Sequence, residues 1–139
     1  MTKYNTNLAS EYYVLATLYR LGFNAYITLG NKKSIDIILH LENNKQVTID
    51  VKGLKGTTMF PLDNVDEDNM KPNHFIVFLS FVNRIDDSEV VPEIYVVPHD
   101  EIKREDLMYH APSGRKGVRL STLRSNKEKY RNNWKLLKK

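Results

Sequence analysis

VTIDVKG, residues 47–53, alternates apolar and polar side chains. Val47, Ile49 and Val51 take one parity, Thr48, Asp50 and Lys52 take the other, and Gly53 closes the run. That is the period of a β-strand with one face in a core. The opposite face carries an aspartate and a lysine two positions apart. The pair reads either as a surface ion pair, contributing about 0–1 kcal/mol, or as part of a polar site, and the flanking sequence bears on which.

Upstream, SIDIILHLE (34–42) has the same period. Ile35, Ile37, Leu39 and Leu41 share one side, while Asp36 stands on the other with Ile38 and His40. Asn43, Asn44 and Lys45 are turn residues, so 34–42 and 46–52 are predicted to pair as a hairpin with a three-residue loop. Burying both odd-numbered sets on one face requires partner numbers with an even sum, which this loop satisfies. It sets Glu42 against Gln46, Ile38 against Asp50 and Asp36 against Lys52. Asp36 and Asp50 are then diagonal neighbours, on the order of 7 Å apart at the backbone.

A helix is predicted over 7–21, with Asn7 as N-cap and Gly22 as its stop. At about 100° per residue, Leu8, Tyr12, Val14, Leu15, Leu18, Tyr19 and Leu21 all fall within about 100° of Glu11, with Ser10, Tyr13, Thr17 and Arg20 behind. Glu11 thus lies mid-way across the apolar face, where an ionised carboxylate is costly unless paired, hydrogen-bonded or near a metal. The alternative is an exposed first-turn glutamate that favours the helix dipole. If the helix covers the face bearing Asp36 and Asp50, three carboxylates and a lysine meet. Such hard oxygen donors, few in number, leave room for water and phosphate oxygens around Mg²⁺. The acid-x-Lys pattern recurs at Glu101-Ile102-Lys103, but on a predicted polar helix with no upstream aspartate, and reads there as surface charge.

The rest of the chain frames this region. NAYITL (24–29) is a short predicted strand ending in the turn Gly30-Asn31. After Gly53 the pattern lapses, with Pro61 and the acidic cluster Asp63, Asp66, Glu67, Asp68 reading as loop and a short helix start. The nearly all-apolar stretch 74–82 is predicted as a central strand covered on both faces. EIYVVP (93–98) is a further strand, 99–107 a short polar helix, and 108–117 a loop turning at Ser113-Gly114. A helix over 121–137 is expected to pack through Trp134, Leu136 and Leu137. The order gives a mixed α/β domain.

With 139 residues, 41% apolar and 27% charged, the chain has the size and composition of a single domain, 1–139. It holds no cysteine, which excludes disulfides and thiolate metal sites and suits a reducing cytoplasm. No apolar run approaches the roughly 20 residues of a membrane helix, so no membrane partner is expected, and MTKYNTN carries no secretory h-region. Charge is uneven: 111–139 holds ten Lys or Arg and one acid, a net +9, whereas 1–110 is net −5. A basic C-terminal segment points to a polyanionic partner or to a solvated, solubilising helix.

Residues 8–53, LASEYYVLATLYRLGFNAYITLGNKKSIDIILHLENNKQVTIDVKG, resemble the α-β-β-β start of the PD-(D/E)XK nuclease-like superfamily, as found in restriction endonucleases and archaeal Holliday-junction resolvases. The motif proline is replaced by Ile35. The resemblance implies a restriction-endonuclease-like mixed β-sheet (α-β-β-β-α-β core) flanked by helices. It also implies a site with Asp36 as the motif aspartate, Asp50 and Lys52 as the acid and lysine of the third strand, and Glu11 as the helical glutamate. Mg²⁺ or Mn²⁺ would be held by Asp36, Asp50 and the Val51 carbonyl. Lys32, Lys33 and Lys55 flank the motif strands, and Arg115, Lys116 and Arg119 begin the basic segment; these are the candidate nucleic-acid contacts. Endonuclease-like hydrolysis of DNA is one expected function. A non-cutting nucleic-acid-binding or interaction module on the same fold is another, and a structural domain pairing its acidic loop and basic tail a third. A homodimer is compatible with each.

Overall fold

The strand that contains the opening heptapeptide has a partner on each side, and the other described elements are layered around it. The computed structural model describes residues 3–28, 36–62 and 71–138. In order these form α1 (Lys3–Arg20), β1 (Asn24–Ile27), β2 (Ile37–His40), β3 (Gln46–Leu54), β4 (Met59–Pro61), β5 (His74–Ser80) and β6 (Glu93–Pro98). There follow α2 (Glu101–Arg104), β7 (Tyr109–His110), β8 (Lys116–Arg119), α3 (Leu120–Ser125), α4 (Lys127–Tyr130) and a 3₁₀ helix (Trp134–Lys138). The main sheet has the order β1-β2-β3-β5-β6. Its pairs are antiparallel except β3 with β5, which run parallel. A smaller antiparallel sheet has the order β4-β8-β7. The domain is mixed α/β, as the sequence pattern predicts. No described helix is long and apolar enough to cross a membrane.

The two faces of the main sheet are covered by different elements. On one, Val14 and Leu18 of α1 pack with the odd-numbered Ile37, Leu39, Val47, Ile49 and Val51 and with Val77 and Leu79 of β5. On the other, Ile76 and Phe78 of β5 and Tyr95 and Val97 of β6 meet Phe60, Val118, Leu120, Leu123 and Tyr130. Both faces of β5 are therefore dry, and every residue of it is buried, which accounts for its unbroken apolar sequence. Trp134, Leu136 and Leu137 pack on the first core as expected.

Helix α1 begins at Lys3 rather than at Asn7 and ends where predicted. Gly22, at φ +86°, takes the left-handed position after the last turn. Its amide bonds to the Tyr19 carbonyl and that of Phe23 to the Leu18 carbonyl, both at 3.0 Å, the paired bonds of a Schellman stop. The buried stripe runs Thr6, Ser10, Val14, Leu18, while Tyr12 and Tyr19 are exposed. Counting those tyrosines as apolar turned the predicted face by most of one residue step, so Glu11 lies on the flank of the buried stripe, half-buried, not at its centre. Ser10, placed behind by the wheel, is fully buried because α1 lies close against Gly53. A Cβ there would come 2.0 Å from Ser10 Oγ and 2.8 Å from Ser10 Cβ.

The β2–β3 register differs from the predicted one by two residues: Ile37 faces Ile49, Ile38 faces Thr48, Leu39 faces Val47 and His40 faces Gln46. The loop is five residues, 41–45, closed by the Leu41 amide on the Lys45 carbonyl at 2.9 Å, with Asn44 left-handed at φ 62°. Asp36 is accordingly not opposite Lys52; one further step of this register would set it beside Asp50. An even shift preserves parity, so each face keeps its predicted residues. Residues 34 and 35 of the predicted strand, and the acidic cluster 63–68, lie outside the described residues.

Two predicted irregular regions are strands. Met59–Pro61 pairs with β8, Phe60 facing Val118. The predicted loop 108–117 is a hairpin turning at Gly114, φ +92°. The predicted long C-terminal helix is broken into α3, α4 and the 3₁₀ turn, Asn132 taking φ 51°. The α1–β3 contact sets a test. Gly53→Ala is expected to destabilise the fold by about 1–3 kcal/mol through overpacking, with part recovered in Gly53→Ala/Ser10→Gly, as read by urea unfolding. Equal losses in both would mean that Ser10 is not what the methyl meets.

Candidate active site

Asp36 sits at the point where β2 pairing stops. Its amide donates to the Ile49 carbonyl at 2.9 Å and its carbonyl accepts from the Thr28 amide at 2.9 Å, fixing it between β1 and β3. Its carboxylate Oδ2 accepts from the Val51 amide at 2.7 Å. In an extended strand the amide and carbonyl of one residue face the same edge. The Val51 carbonyl is therefore turned to the edge where Asp36 stands.

Asp50 is 4% exposed and lies on the even-numbered side of β3. Lys52 Nζ is 3.6 Å from Asp50 Oδ2. Burial pushes the Asp50 carboxyl up to about 7; the Lys52 charge works against this, and a hydrogen bond to Asp36 and its charge add to it. A buried carboxyl beside another acid gives up its proton less readily, and a bound cation favours its ionised form. The Glu11 carboxyl is also raised, by burial first and then by Asp36, with Lys52 opposing. Glu11 therefore lies within electrostatic reach of both.

The route by which Glu11 arrives differs from the predicted one. α1 covers the odd-numbered face, opposite Asp50 and Lys52, so Glu11 approaches from the helix side of β3. Among the described residues no three Asp, Glu or His groups stand close enough to hold a metal ion. The group that forms is a carboxylate pair, Asp36 and Asp50, with Lys52 attached and Glu11 nearby. Its donor chemistry, carboxylate oxygens plus a backbone carbonyl, fits a hard divalent cation.

Of the predicted nucleic-acid contacts, Lys32 and Lys33 lie outside the described residues. Lys55 is exposed just past β3. Arg115 and Arg119 are exposed and Lys116 is half-buried on the β7–β8 hairpin, with the Arg119 guanidinium 4.2 Å from the centre of the Tyr109 ring. The small sheet packs through Phe60 on Phe78, ring centres 5.0 Å apart, and Phe78 is beside Lys52 in the β3–β5 register. The basic hairpin thus stands on the same side of the main sheet as Asp50 and Lys52. Three other cations of the C-terminal segment are engaged within the fold: Arg124 makes two bonds to Glu93, at 3.0 and 2.6 Å, Lys129 pairs with Glu105, and Lys138 lies over Phe23.

One buried polar pair was not foreseen. His74 opens β5 and His99 follows β6, and the antiparallel β5–β6 pairing brings their rings to 5.1 Å, edge to face. His74 Nδ1 and the Thr48 hydroxyl share a bond of 2.7 Å. Burial, then His99 and Lys71, push the His74 imidazole down to about 4, so it is neutral at pH 7. No local spacing signals this contact, since 25 positions separate the two residues.

No protein-family model matches the chain, and no curated protein matches it either.

The Asp50 shift has a sign that can be measured. An unfolded aspartate releases its proton near 3.8, the folded one near 7, so between those values the folded state binds more protons and stability falls as pH rises. Asp50→Asn removes this and is expected to melt roughly 3–10 °C above the parent at pH 8, the advantage disappearing near pH 4. Melting followed by circular dichroism checks it. A variant less stable than the parent at pH 8 would make the Asp50–Lys52 pair a net stabiliser instead.

Proposed function

We propose that the chain is a metal-dependent nuclease with a restriction-endonuclease-like core, hydrolysing phosphodiester bonds in DNA. The observation that carries this reading is the Asp36 carboxylate anchored on the Val51 amide beside the buried Asp50, with Lys52 on the same strand face. A stability role does not account for that arrangement, because burying adjacent carboxylates works against folding.

Asp36, Asp50 and the Val51 carbonyl are the groups that would hold Mg²⁺ or Mn²⁺. The bound cation supplies Lewis-acid chemistry that phosphodiester hydrolysis draws on. The protein's own part is positioning and charge. Lys52, held against Asp50, would orient the attacking water and stabilise negative charge developing on the phosphoryl oxygens. Glu11, on the helix side, would fix a second water or cation. Lys55, Arg115, Lys116 and Arg119 would contact phosphates without reading sequence.

Asp36→Ala and Lys52→Ala are each expected to slow nicking of a supercoiled plasmid in Mg²⁺ by on the order of 10²–10³-fold, with folding intact by circular dichroism. Cutting at the parental rate by both variants would remove the site assignment. Salt-sensitive DNA binding without any heat of Mg²⁺ or Mn²⁺ binding in calorimetry would assign the chain to the non-cutting module.

A further inference from the structure

The small sheet and its helices cover β5 and β6 on the even-numbered side, and among the described elements none of that cover extends over the same side of β1, β2 and the start of β3. Its floor is made by Asn24, Tyr26, Ile38, His40, Gln46 and Thr48, exposed or half-buried. Within this paired stretch no carboxylate stands on the floor; towards the site the next acids are Asp36 and Asp50, and at the far end Glu42 is exposed in the loop two residues past His40. Tyr26 is 52% exposed, and its ring meets His40 edge to face, centres 5.3 Å apart and planes at 86°. An edge-on contact leaves ring face open to a flat ligand.

The register fixes where this aromatic pair lies. Tyr26 faces Ile38 and Ile38 faces Thr48, with Asp50 two residues further along β3. Two strand spacings across and one two-residue step along put Tyr26 about 12 Å from Asp50 at the backbone. Cross-strand packing accounts for the contact between the two rings. It does not account for an aromatic, hydrogen-bonding and acid-free floor that runs without a break into the carboxylate pair.

We infer that this floor is a base-stacking platform, with Tyr26 and His40 receiving nucleobases of an unpaired strand whose phosphates continue towards Asp36, Asp50 and Lys52. The inference rests on the nuclease reading of that site and narrows its substrate to DNA carrying a single-stranded segment, since a base can lie flat on a side chain only when it has left the duplex stack. Asn24 and Gln46, both exposed, are placed to hydrogen-bond base edges or sugars beside the rings.

The test uses the full chain in EDTA, so that binding is read without cutting. A fluorescein-labelled twelve-residue oligothymidylate and a blunt duplex are titrated by anisotropy, and an oligothymidylate carrying 2-aminopurine reports stacking. Tyr26→Ala is expected to weaken single-strand binding by about 5- to 100-fold and to abolish quenching of the 2-aminopurine, whereas Tyr26→Phe keeps both. His40→Ala is expected to show the same loss in smaller measure, and blunt-duplex affinity to stay at the parental value in all three. Unchanged single-strand affinity in Tyr26→Ala and His40→Ala, an equal loss on duplex, or no quenching by the parent would each overturn the platform. The nuclease reading is judged separately by Asp36→Ala on plasmid. Cleavage lost there with Tyr26 variants unaffected leaves an enzyme without the platform; a working platform with no cutting leaves a single-strand binder.

Discussion

The bond from the Val51 amide to the Asp36 carboxylate is where sheet pairing gives way to a site. A strand amide in the interior of a sheet needs an acceptor, and here a side chain supplies it one residue before β2 begins. That single substitution sets the direction of Asp36, brings it to Asp50, and turns the Val51 carbonyl to the same edge. The raised proton affinity of Asp50 follows from its burial and from this neighbour, and the Lys52 ammonium offsets only part of it. The placement of Asp36 in the cluster descends from that hydrogen bond, whereas the raised Asp50 carboxyl owes most to burial.

The cluster also lies on a boundary between covered and open sheet. β3 is held from one side by α1, pressed against Gly53 through Ser10, and from its edge by the parallel strand β5, whose two faces are both buried. The even-numbered side of β5 and β6 lies under the small sheet and α3, while that of β1 and β2 does not. Asp50 and Lys52 sit between the two halves, so one is buried and the other partly exposed. A rigid floor beside an open shelf is suited to holding a polymer, with the basic β7–β8 hairpin on the same side.

The period of two in residues 35–41 and 47–53 was enough to place Asp50 and Lys52 on one face, because a register error of two residues leaves parity intact; Asp36, one residue before β2, reaches them through its bond to the Val51 amide. The register itself was not legible. Leu41 reads as an inward strand residue, yet it begins a five-residue loop that depends on the left-handed Asn44, which a sequence window does not distinguish from a three-residue turn. Glu11 was found for a partly mistaken reason: exposed Tyr12 and Tyr19 weighted the helix face wrongly, and only the close approach at Gly53 explains why a serine is central to it. The β4–β8–β7 sheet escaped because its strands are two to four residues long and β4 finds its partner β8 56–60 positions away in the chain. The His74–His99 contact escaped for the same reason.

The most direct test of the site is a crystal grown with Mn²⁺ and measured at a wavelength where manganese scatters anomalously. A peak between the Asp36 and Asp50 carboxylates, next to the Val51 carbonyl, is the expected result. An empty map at saturating Mn²⁺, with Lys52 still paired to Asp50, would contradict it.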